Sequence, residues 1–153
     1  MAKVKIGILV TALVSLLCVP TAAFAQGRMQ WKGSGGWGPG SKHVRMYDPK
    51  TVETISGEVV SVEKIPATKG RGYGVHLTLK TDKETIPVHL GPGWYIEHQD
   101  TKIEPKDRVD VTGSRVLSEG KPAIIAAEVK KGNEILKLRD DNGFPFWAGW
   151  RRR

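Results

Sequence analysis

Cysteine is nearly missing from this chain: among 153 residues the one thiol is Cys18. Cys18 lies within a leader-like segment, so the part that folds has no disulfide, no thiolate metal ligand and no Cys-x-x-Cys-His site for covalent haem. Long hydrophobic runs are missing too. The longest, Ile6 to Val19, falls short of the roughly 20 residues of a comfortable membrane span. No nucleophile elbow, phosphate loop or zinc-hydrolase helix occurs. Ser56, Ser61 and Ser118 have no recognisable base partner, and the adjacent carboxylates Asp140 and Asp141 have no companion acid or base placed by sequence. The chain is therefore expected not to be an enzyme.

The leader comes first among the features that are present. Lys3 and Lys5 make a positive start, the apolar run follows, and Ala23-Phe24-Ala25 places small residues at −3 and −1. That pattern predicts export with cleavage between Ala25 and Gln26, and a mature protein that is periplasmic or secreted. Lipidation at Cys18 is disfavoured because Leu17 stands where a small residue is needed. The formal net charge is +8 and the pI near 9.7, which describes attraction to anionic surfaces rather than a reader of bases.

Four regions follow from composition: the signal over 1–25, a flexible Gly/Trp-rich arm over 26–46, a β domain over 47–143, and an aromatic and basic tail over 144–153. The arm shows no hydrophobic period, and Trp31 and Trp37 within it either fold back onto the domain or dock a partner. From Tyr47 onward apolar and polar residues alternate, as in Val75, Leu77 and Leu79 against His76, Thr78 and Lys80. This period of two predicts strands at 54–65, 73–81, 85–90, 108–117, 123–130 and 134–138, separated by turn residues. A short helix is expected over Trp94–Gln99, plugging one barrel end with Trp94 and Ile96. A strand, a hairpin, a helical insert and a second hairpin make the order of an all-β, OB-like barrel of five to six strands. Gly57 would relieve the bend of its first strand. A β-sandwich is the alternative.

Three stretches carry a resemblance: Tyr47 to Val59, Val88-His89-Leu90-Gly91-Pro92-Gly93-Trp94-Tyr95, and Leu138 to Trp147. The chain resembles the domain of the magnetosome proteins MamS and MamX, and more distantly the periplasmic bacterial OB-fold stress proteins. The resemblance implies an exported OB-like binding or accessory module in a metal, redox or envelope system. MamX-type chains also carry haem-attachment motifs, and this sequence has none, so no covalent haem is expected.

The sharpest local feature is His76 with His89. A two-residue hairpin centred on Asp82-Lys83 sets Leu79 against Ile86, Leu77 against Val88 and His76 against His89. The histidines then share a non-hydrogen-bonded site on the face opposite the apolar pairs, with Cβ atoms about 4.5–5.5 Å apart. Two imidazoles so placed suit a divalent metal, with His98 as the preferred third ligand and Glu97, His43 and Met46 as alternatives. The competing reading has both histidines solvated or hydrogen-bonded locally. Trp94 and Tyr95 are candidates for a ligand-stacking wall. Trp147, Trp150, Arg151, Arg152 and Arg153 are candidates for docking an envelope protein or an anionic membrane surface, with the alternative that the aromatics pack across the barrel. Nucleic acid is not expected as a partner, since export removes the chain from it. Asp141-Asn142-Gly143 is expected to supply positive-φ turn positions, and Arg139 with Asp140 an ordinary surface pair.

Overall fold

The computed structural model describes residues 37–67 and 72–149. Strand β1 (Val52–Pro66) is followed by β2 (Tyr73–Lys80), β3 (Thr85–Pro92), the short helix α2 (Gly93–Ile96), β4 (Arg108–Ser118), β5 (Lys121–Lys131) and β6 (Glu134–Lys137). Ahead of β1 stand helix α1 (Lys42–Met46) and a 3₁₀ turn over Pro49–Thr51. Among the described residues no helix is long and apolar enough to cross a membrane.

The sheet runs β3-β2-β1-β4-β5-β6, and β3 also pairs in parallel with β5 at Val88–Ile124 and His89–Ile125. Five strands thus close into an OB-like barrel, with β6 added outside the closure. The long first strand serves two neighbours. Its first half pairs with β4, from Val52–Ser114 to Glu58–Arg108, and its second half with β2, from Glu58–Lys80 to Pro66–Tyr73. The change of partner falls beside Gly57. A Cβ there would stand 2.4 Å from the Lys80 carbonyl oxygen, so the bend accepts no side chain.

The period-two pattern has a direct outcome. Val59, Leu77, Leu79, Ile86, Val88 and Leu90 all point inward and are at most 1% exposed. Arg115 ties the outer surface by pairing with Glu53 of β1 at 2.6 Å and with Glu84 of the β2–β3 turn at 2.5 Å.

Four expectations are revised. Lys42–Met46 is a helix, although it falls in the segment read as a flexible arm; Trp37 in the same segment is buried, the fold-back reading of the two given for it. Ser41 begins that helix, its Oγ accepting from the Val44 N–H. Helix α2 buries Tyr95 rather than Trp94 and Ile96, which are half-buried against the same core. The reason is polar: the Tyr95 hydroxyl donates to the Lys137 carbonyl at 3.1 Å, so both ends of the ring are satisfied inside. In the turn after β6 only Gly143 takes a positive φ. Asp140 shapes that turn instead, its Oδ1 accepting from the N–H groups of Asn142 and Phe144. Arg139 is not a surface residue; it is 4% exposed.

Leu79 is fully enclosed, so Leu79→Ala should cost about 2–5 kcal/mol. Leu117→Ala, at a 68% exposed position, should stay within about 0.5 kcal/mol. Urea midpoints at constant slope would show the difference.

Candidate metal centre

The β2–β3 hairpin builds two-thirds of the site. The Thr81 N–H bonds the Glu84 carbonyl at 2.8 Å, leaving Asp82 and Lys83 as a two-residue loop. Counting back from that pair, Leu79 meets Ile86, Leu77 meets Val88 and His76 meets His89. The register then shifts between Val75 and His76, so Leu90 is the extra residue of a bulge. Bulges re-aim neighbouring side chains, and this one lies directly beside His89. With the apolar partners turned into the barrel, both imidazoles stand on the outer face. His89 Nδ1 and His76 Nε2 are 2.9 Å apart, one donating to the other according to tautomer.

Helix α1 supplies the third imidazole. Trp37 and α1 lie over the outer face of β2 and β3. A Cβ at Gly74 would stand 2.1 Å from the Trp37 ring, so the glycine is what admits the indole. Trp37 stacks on His43, with ring centres 4.8 Å apart and planes within 8°. The Trp147 indole N–H donates to the Trp37 carbonyl at 2.7 Å, so the end of the domain holds its beginning in place. The ligand nitrogens of His43, His76 and His89 all lie within 4.8 Å of one another, each half-buried.

Burial sets the protonation of this cluster. It pushes His43 down to about 4 and His89 down to about 3. The neighbouring imidazoles, Arg139 and Lys42 push the same way. Burial also lowers His76, against the carboxylate of Glu63. All three are therefore neutral near pH 7 and keep lone pairs for a metal. Two nitrogens about 2.0–2.1 Å from one metal are about 2.9 Å apart at a right angle and about 3.3 Å apart at the tetrahedral angle. The His76–His89 spacing fits that range, and a metal bound there would replace the proton the pair shares. Three imidazoles with no thiolate suit copper, zinc, nickel or iron rather than magnesium or calcium.

The other predicted residues lie elsewhere. His98 follows α2, its Nδ1 2.5 Å from the Trp94 carbonyl oxygen, and does not join the cluster. Glu97 pairs with Lys64 at 3.5 Å, and Met46 packs by Tyr47, Ile125 and Ala127. Tyr95 and Trp147, read as contact residues, are interior side chains, 7% and 3% exposed. Trp94 is half-buried at an angle of 85° to the Tyr95 ring. Trp150 and Arg151, Arg152 and Arg153 lie outside the described residues, as do the signal and the cleavage point at Ala25 and Gln26. Sequence reasoning missed Arg139, because nothing local distinguishes a buried arginine from a surface one.

Because the folded-state values of His43 and His89 lie below the ordinary 6.5, the unfolded chain binds their protons more readily. Their contribution to stability is complete above about pH 6.5 and is lost as pH falls towards 4 and then 3. The metal-free protein should show a falling urea midpoint between pH 7 and pH 4.5. His89→Gln should flatten that decline.

Among curated proteins none matches this chain. Residues 51–136, running from the start of β1 into β6 and including His76 and His89, match a family of magnetosome proteins. The chain therefore belongs to the MamS/MamX magnetosome protein family.

Proposed function

We propose that this protein is an exported, non-enzymatic accessory module of a metal-handling envelope system, and that it binds a transition metal itself through His43, His76 and His89. The observation that carries the reading is the convergence of three neutral imidazoles within 4.8 Å on the outer face of a barrel whose interior is filled by side chains. A solvated histidine pair would need neither the helix folded over it nor the tryptophan stacked on its third member. Membership of the MamS/MamX family supports a metal setting. The leader-like pattern at residues 1–25 supports export. Support for a binding module over an enzyme comes from the sequence, which pairs no nucleophile with a base. Phe144 and Phe146, 48% and 46% exposed, precede Arg151–Arg153 in the sequence, a composition that suits an envelope protein or an anionic surface as partner.

The full chain, produced with its leader and without a metal-affinity tag, should be recovered from the periplasm beginning at Gln26. It should carry close to one equivalent of copper, zinc, nickel or iron by elemental analysis. A variant with His76→Ala and His89→Ala should lose the metal, and His43→Ala should weaken binding at least tenfold. His98→Ala should leave it unchanged. A parent that stays metal-free after incubation with each ion would sink the metal reading and leave an adaptor, its partner to be sought by crosslinking in the envelope.

A further inference from the structure

Arg139 is the most unusual residue of the domain. It follows β6, where the N–H groups of Leu138 and Arg139 both bond the Ala127 carbonyl. Its side chain is 4% exposed. Nη1 donates to the Leu90 carbonyl at 2.9 Å and to the Ala126 carbonyl. Leu90 follows His89, and Ala126 follows Ile125, the parallel partner of His89. The guanidinium is thus anchored on both strands that carry the His89 corner of the metal centre, and it lies 4.9 Å from the centre of the Trp147 ring. Its charge reaches His43 and His89.

Nε and Nη2 have no hydrogen-bond acceptor among the described residues. These two nitrogens are not an arbitrary remainder. They share one edge of the guanidinium, on which two parallel N–H bonds match the oxygens of a carboxylate, carbonate or phosphate. Leaving both unpaired in the interior is costly for a charged group.

Charge balance points the same way. The cluster contributes three neutral rings. Lys42 and Arg139 add positive charge, and the carboxylate bearing on it is that of Glu63, beside His76 on the exposed side. Among the described residues no carboxylate bears on Arg139; the Tyr47 phenol does, and burial keeps it protonated. A divalent metal here would put further positive charge beside a buried guanidinium. Three imidazoles also leave a metal with an open position.

We infer that a metal held by His43, His76 and His89 takes a small oxyanion as its next ligand, and that Arg139 grips this anion through Nε–H and Nη2–H. The inference rests on the metal reading given above. One oxygen of the anion meets the metal and two face the guanidinium edge, so the anion neutralises both cations at once. Arg139 is then a specificity-determining residue: it favours planar or tetrahedral oxyanions over halides.

Cobalt(II) serves as an optical probe with the mature protein, Gln26 to Arg153, in a non-coordinating buffer freed of carbonate. Bicarbonate, phosphate and chloride are added separately. The inference expects one of the two oxyanions to change the cobalt absorption and to tighten cobalt binding at least tenfold, with chloride doing neither. Linkage requires cobalt to tighten the anion by the same factor. The responding anion separates a carbonate site from a phosphate site. Arg139→Gln should keep cobalt binding and lose the oxyanion effect, and Arg139→Lys should restore only part of it. Should these variants fail to fold, the comparison of anions on the parent protein decides. Cobalt bound identically with and without oxyanions would overturn the inference while the metal reading stands. So would an undiminished oxyanion effect in Arg139→Gln, or an oxyanion bound equally well without cobalt. A protein that binds no cobalt, copper, zinc, nickel or iron would remove both readings together.

Discussion

The β2–β3 register is the constraint on which both the core and the candidate centre depend. In a strand, neighbouring side chains point to opposite faces, so a slip of one residue would exchange every inward group for an outward one. In the observed register Leu77, Leu79, Ile86 and Val88 fill the barrel, and His76 meets His89 outside it. The apolar pairs therefore do more than stabilise the barrel. By entering it they hold two imidazoles in the closely spaced, non-hydrogen-bonded position on the other face. The two-residue loop at Asp82-Lys83 and the pairing of Arg115 with Glu84 reinforce that register from the turn.

Closure of the barrel and assembly of the outer cluster meet at His89. This residue belongs to β3, pairs with β2 at His76 and with β5 at Ile125, and is followed by the bulged Leu90. Arg139 docks on the carbonyls at this junction. Trp147 lies over Arg139 and bonds the Trp37 carbonyl, while Trp37 stacks on His43. One chain of contacts therefore runs from the end of the domain, through the strand junction, to the helix before the barrel. A centre assembled in this way depends on the whole domain being folded. It also explains the use of tryptophan at two positions where a plain linker and a plain tail would have none.

The strand pattern was open to reading because each strand is amphipathic on its own, and a period of two needs no knowledge of distant partners. All six strands, the hairpin register and the His76–His89 pair follow from local alternation and turn residues. The rest was hidden for a physical reason. His43 lies 33 residues before His76, in a segment with no hydrophobic period. Its place is decided by Trp37 finding room over Gly74. His98, nearer in sequence, is carried away by the direction of α2. Arg139 precedes an exposed-looking charged turn, and the packing of Trp147 over it and the carbonyls of Leu90 and Ala126 make it an interior cation.

The alternation, the turns and therefore the barrel are legible along the chain, since these are properties of short segments and of the faces they present. The composition also sets the chemistry available: imidazoles and arginines, with no cysteine after residue 18. Which imidazoles meet and which arginine loses its water follow from the folded arrangement alone. Those outcomes are set by contacts between segments far apart along the chain, where burial of a ring or a charge depends on what happens to lie across from it.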